Sequence, residues 1–123
     1  MKIYISKYNG ISIDELQGLV QLLENNGNEI KQFIKPPYDE NILLSCEYVI
    51  ALIPEPSNEL LLVGRGQYSE IALSLSKGIK TLIYDNDAFY LVSGIEIYNK
   101  NDWKKEYGNV ITDDYNVKPE FIK

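Results

Sequence analysis

Residues Cys46–Tyr84 read CEYVIALIPEPSNELLLVGRGQYSEIALSLSKGIKTLIY, and this stretch decides how the rest of the chain is organised. An apolar run, Tyr48–Ile53, is followed by a loop ending in Gly64-Arg65-Gly66. A polar-to-apolar segment carrying Glu70 comes next, then Gly78 and a second apolar run, Thr81–Tyr84. The pattern predicts strand, loop, helix, strand. A right-handed crossover of this kind makes the two strands parallel neighbours. It puts the loop and the helix start at their carboxyl ends, where open α/β sheets bind ligands.

Working outward, Lys2–Ser6 has the β-branched and aromatic content of a strand, and Lys7-Tyr8-Asn9-Gly10 supplies turn residues after it. Ser12 followed by Glu15 has the form of a capping box, and Ile13, Leu16, Leu19, Val20, Leu22 and Leu23 recur at helical spacing up to Asn25-Asn26-Gly27. Glu29–Lys35 alternates as a second strand stopped by Pro36-Pro37, and Tyr38–Glu47 suits a short helix with acidic residues at its start. The alternation predicts an α/β fold in three layers, Rossmann-like or flavodoxin-like, with a parallel sheet of about five strands and helices on both faces.

Beyond Tyr84 the pattern is weaker. Asp85-Asn86-Asp87 is a turn, Ala88–Val92 is strand or helix, and Ile95–Tyr98 is a candidate strand. Residues 101–108 read as a short capped helix ending at Gly108, and the polar tail from Asp113 to Lys123 is expected to be mobile.

At 123 residues the chain fits a single domain, residues 1–123, able to bury roughly two-thirds of its unfolded surface. A net charge of −6 argues against polymeric nucleic acid, which is held by neutralising its phosphates, but leaves a single nucleotide open. Cys46 is the only cysteine and histidine is absent, so neither a disulfide nor a thiolate metal cage is expected, and acid–base chemistry falls to carboxylates, tyrosines or lysines. No apolar run approaches the ~20 residues needed to span a bilayer, so no membrane partner and a reduced, cytoplasmic setting are the expectation.

Three clusters could carry chemistry. Gly64, Arg65, Gly66 and Gln67 lead into a helix, where glycines admit a close approach and unpaired amides attract anions, and Arg65, the only arginine, suits a phosphate. The plainer alternative is a loop with Gly66 as N-cap and Arg65 in solvent. With Gly66 as cap, Glu70 ends the first turn while Tyr68, Ile71, Ala72 and Leu75 form the buried stripe. A carboxylate there can attack or stabilise a sugar centre, or it can simply complement the helix dipole. Tyr8, Asn9 and Gly10 would share the same carboxyl edge, with Tyr8 stacking on a base, or would form only a surface turn.

Taken together, Met1–Ser6, the strand Glu47–Pro54 and the run GQYSEIALSLSKGIKTLIY over Gly66–Tyr84 resemble the nucleoside 2-deoxyribosyltransferase-like superfamily. That family has a first strand of the form KIYIAGP, a Gly-Thr-x-x-Glu-Ile-Gly-x-Ala helix start and a Gly-Lys-Pro-Val-Ile strand. The likeness spans about the first 85 residues and keeps the Gly-to-Glu spacing of four. It implies a small-molecule nucleoside or nucleotide above the strand ends and no metal or cofactor. It also implies a homo-oligomer, in which residues 98–115 could complete a neighbour's site. Glu70 would be the nucleophile that attacks the anomeric carbon, forming a glycosyl-enzyme, with Tyr8 and Tyr68 binding base or sugar.

The chain also departs from that pattern. The Gly-Pro turn is Lys7-Tyr8-Asn9-Gly10, the family's threonine is Gln67, and the aspartate before the glycine loop has no counterpart in Leu61-Leu62-Val63. Glu55 or Glu59 could stand in for it. Three functions remain open: N-glycosidic hydrolase or deoxyribosyltransferase, a non-catalytic module that senses or sequesters an ADP-ribose-type nucleotide, and an interaction domain without a ligand.

Overall fold

The computed structural model describes residues 1–53, 61–98 and 107–122, with no side-chain description at 114–116. The elements run β1 (Lys2–Lys7), α1 (Ile13–Asn25), β2 (Glu29–Gln32), α2 (Glu40–Leu44), β3 (Tyr48–Leu52), β4 (Leu62–Val63), α3 (Arg65–Ser76), β5 (Lys80–Asp85), β6 (Ala88–Ile97) and β7 (Gly108–Asn116).

One seven-stranded sheet carries the fold, in the order β2-β1-β3-β5-β6-β7-β4. Its first half matches the reading of the sequence: β1 is parallel to β2 and β3, and β3 is parallel to β5 across α3. The second half overturns the expected three-layer parallel fold of about five strands. β6 runs antiparallel to β5, β7 to β6 and β4 to β7, so the sheet is mixed, with only three helices among the described residues.

The reversal has a local cause. Asn86 and Asp87 take φ 48° and 63°, the left-handed pair of a two-residue hairpin, and Asp85 pairs with Ala88 across it. A two-residue link cannot carry the chain back to start a parallel strand. β6 therefore folds directly onto β5. It takes in Ala88–Val92, which the sequence leaves as strand or helix, and most of the candidate strand Ile95–Tyr98.

Helix α1 begins as the capping box predicts, with the Glu15 amide donating to Ser12 Oγ at 3.1 Å. It buries Leu19 and Leu23 against Ile3, Ile5, Tyr48, Ile50, Leu52 and Leu82 on one face of the sheet. Each such leucine contributes about 1.5–3 kcal/mol of burial, so Leu23→Ala would loosen the helix. The other face is covered by α2, through Leu43 against Tyr4 and Val49, and by α3, through Ile71 against Ala51 and Ile83.

The tail from Asp113, expected to be mobile, lies in part within β7. Phe121 is 3% exposed in the α1-side core, edge-on to Tyr48 at 4.8 Å and to Phe89 at 5.8 Å. Its carbonyl accepts from Asn28 Nδ2, and Glu120 accepts from the Tyr48 hydroxyl at 2.6 Å. Of the helix expected over residues 101–108, positions 101–106 lie outside the described residues and Gly108 opens β7. Among the described residues no helix is long and apolar enough to cross a membrane.

Candidate functional site

Tyr4 and Ser6 are two apart on β1, so they share a face, and it is the face that α3 covers. Helix α3 starts at Arg65 with Gly64 as its N-cap, two residues earlier than the Gly66 cap expected from the sequence. That shift puts Glu70 into the second turn. The buried face becomes Gln67, Glu70, Ile71 and Ser74, while Tyr68, Ala72 and Leu75 are only half-buried. Three of the four inward residues are polar, so this helix meets the sheet through hydrogen bonds as much as through apolar contact.

Gln67, 4% exposed, donates from Nε2 to the carbonyls of Ser6 at 3.1 Å and Leu52 at 2.7 Å, bridging the carboxyl ends of β1 and β3. Its Oε1 has no partner among the described residues, and a buried acceptor left in this way costs about 1–3 kcal/mol. One turn on, Glu70 is 9% exposed. Ser6 Oγ donates to its Oε1 at 2.9 Å, and the hydroxyls of Tyr4 and Tyr38 both donate to Oε2, the latter at 3.3 Å.

A carboxylate offers about four acceptor sites, so three hydroxyls leave one, on Oε1. Burial, followed by the hydrogen bond and negative charge of Glu70, pushes the Tyr4 hydroxyl far above its ordinary value. Burial and the same charge push Tyr38 up to about 12. Both tyrosines are therefore protonated donors at neutral pH.

This carboxylate opens onto a hollow of about 650 Å³ at the carboxyl edge of the parallel strands. The first strand and its turn contribute Tyr4, Lys7, Tyr8 and Asn9; the segment after β2 contributes Phe33 and Tyr38; the start of α3 contributes Gly64 to Gln67 together with Ser69 and Glu70. Of the nine positions singled out from the sequence, seven line this cavity: Glu70, Tyr8, Asn9, Gly64, Arg65, Gly66 and Gln67.

Gly10 does not line the hollow, and its φ of +91° serves the turn after β1. Tyr68 does not line it either; it packs with the cluster of Val63, Ile83 and Val110, over Gly108. Tyr8 lines the hollow while its hydroxyl donates to Glu15 at 3.0 Å. Glu55 and Glu59, considered as replacements for the missing aspartate, lie outside the described residues.

Sequence reasoning missed Tyr4, Ser6, Phe33 and Tyr38. The parity of positions 4 and 6 on a strand beside the Glu70 helix was a usable signal for the first two. Phe33 falls in the alternating run Glu29–Lys35, of which only Glu29–Gln32 forms β2, and Tyr38 lies beyond the two prolines, so neither is marked as part of a site. Chemically, the site offers a fixed anionic oxygen, neutral hydroxyl donors, aromatic faces, and the helix-start amides, which lack intrahelical acceptors. Among the described residues no cluster of Cys, Asp and Glu could hold a metal ion.

Comparison of the chain with protein-family models, with curated proteins and with solved structures returns no match, so the likeness noted above rests on the residues quoted for it.

Proposed function

We propose that the protein is an N-glycosidic hydrolase or deoxyribosyltransferase that takes a nucleoside or nucleotide into the hollow, with Glu70 as nucleophile. The observation that carries this reading is the carboxylate itself. It is buried, held by three hydroxyls, keeps one acceptor site on Oε1, and lies on the wall of a cavity large enough for a nucleoside.

In the first step Oε1 attacks the anomeric carbon, a C–O bond forms as the C–N bond breaks, and the base leaves with the electron pair and takes up a proton from water. In the second, water or another base attacks the same carbon, the ester bond breaks and the Glu70 carboxylate is restored. When water is the acceptor, its proton is released to solvent. The hydroxyls of Tyr4 and Ser6 fix the carboxylate for attack, and the helix-start amides with Arg65 suit a phosphate where the substrate carries one. Assembly as a homo-oligomer belongs to the same proposal.

Incubation with deoxynucleosides, ribonucleosides, their monophosphates and NAD, read by chromatography for free base, tests it. Release of base should be abolished by Glu70→Gln, with the glycosyl-enzyme visible by mass spectrometry in the active protein. Turnover that survives this substitution rejects the mechanism.

A second reading, retention of an intact nucleotide, is favoured by the same three donors, since hydrogen bonds that stabilise the ionised carboxylate also blunt it as a nucleophile. It predicts saturable calorimetric binding with the ligand recovered unchanged.

A further inference from the structure

We infer that Phe33 and Tyr38 form the seat for the planar base of the ligand and set which bases the hollow accepts. This deepens the reading above and rests on it for the identity of the ligand. The two rings follow the carboxyl end of β2, 5.6 Å apart at an interplanar angle of 54°, and both line the hollow. They are 37% and 47% exposed, against 9% for Glu70.

That difference gives the cavity a direction. The carboxylate belongs to the buried part of the lining and the rings to its exposed part. The Tyr38 hydroxyl donates to Glu70 Oε2 at 3.3 Å, so its ring stands beside the carboxylate, one hydroxyl further out than the oxygen that it holds. In-line attack sends the leaving group away from the nucleophile. With the nucleophile in the buried part of the lining, the base points outward past Phe33 and Tyr38.

Two large rings left partly in water next to a carboxylate lose apolar burial that an ordinary core contact would give them. A flat heterocycle between or upon them restores it, and a tilted pair accepts one without first having to unstack. Neither ring is needed by the cores on the two faces of the sheet, which are built from other residues. Substitution at either position should therefore leave the fold intact.

The test uses the full chain carrying Glu70→Gln, so that ligands stay whole, with Phe33→Ala, Tyr38→Ala or Tyr38→Phe added. Calorimetry and saturation-transfer NMR follow a nucleoside, the free bases adenine and cytosine, and 2-deoxyribose 5-phosphate as a probe without a base. Each alanine variant should weaken nucleoside binding roughly 5- to 100-fold, the range for loss of a base–aromatic stack. Tyr38→Phe, which keeps the ring, should stay within about twofold, and the sugar phosphate should bind all variants alike.

The inference is overturned if both alanine variants bind nucleoside as the parent does, if the sugar phosphate loses as much, or if no base or nucleoside binds at all. Ring-dependent binding of free base in a protein that releases no base from any nucleoside would support the seat and defeat the glycosidic reading. Cleavage with unchanged KM in both alanine variants of the Glu70 protein would do the reverse.

Discussion

Removal of the Tyr4 hydroxyl tests the site's central geometry without relying on any ligand. In Tyr4→Phe the ring keeps its place beside Leu43, Cys46 and Val49, so no cavity forms, and Glu70 loses one of its three donors. A hydrogen bond to an ionised group that is buried on both sides contributes about 1.5–3 kcal/mol net. For a chain of this length 1 kcal/mol is worth roughly 3–6 °C, between the values for smaller and larger domains, so the melting temperature should fall by about 5–18 °C.

The same substitution on a Glu70→Gln background removes a bond to a neutral amide and should cost only about 0.5–1.5 kcal/mol. Urea unfolding of the four proteins gives the coupling directly, and a positive difference of about 1 kcal/mol or more is expected from residues in contact. Equal costs in the two backgrounds, or a single-mutant cost under about 0.5 kcal/mol, would mean that the hydroxyl does not hold an anionic Glu70.

Other outcomes can be stated more briefly. Phe121→Ala should destabilise the protein by about 3–5 kcal/mol in urea unfolding, because it empties a site between Tyr48, Phe89 and α1; a loss under 1 kcal/mol would show the tail to be an ornament. Gly108→Ala should cost about 1–3 kcal/mol, since a Cβ there overlaps the Tyr68 ring and presses on Ile95, and an unchanged melting temperature would contradict that packing. Tyr38, Tyr48 and Tyr84 are each pushed from 10.0 to about 12, first by burial and then by Glu70, Glu120 and Asp87 respectively. Their folded values lie above the unfolded ones, so the stability they confer is complete below pH 10 and is lost as the pH climbs towards 12. Tyrosinate absorbance should accordingly rise late and together with unfolding; early titration in a still-folded protein would refute the shifts.

The parts of this architecture that could be read from the sequence were those governed by local rules. Ser12 and Glu15 announce α1, and the crossover from Tyr48 to Tyr84 gave two parallel neighbours with α3 between them, as observed. The shared carboxyl edge followed from that, and with it the meeting of Tyr8 and Asn9 with Glu70 around one cavity.

The failure came at Asn86-Asp87. The sequence marks a turn there, and two residues suited to positive φ between β-rich runs specify a hairpin, which reverses direction. The α/β alternation therefore ends at this turn, because the pattern upstream has no authority over a tight turn downstream. Helix α3 was misjudged for a different reason. Apolar spacing picks Tyr68, Ile71, Ala72 and Leu75 as its inner face; Ile71 is buried, but the rest of that face is Gln67, Glu70 and Ser74, buried through partners on other elements that a linear pattern does not display. Phe121 was hidden likewise, a lone aromatic in polar surroundings whose contacts are all distant in sequence.

The amide of Gln67 limits what mutation can do here. Two main-chain oxygens, from Ser6 and Leu52, converge on a single nitrogen, so the side chain at this position must bring at least two protons to one point at that reach. Glutamate brings none, asparagine stops short, and lysine would bury a charge among dipoles. Drift elsewhere around the cavity could change what enters it, but drift at this position would leave the Ser6 and Leu52 carbonyls without their shared donor, one turn before the carboxylate.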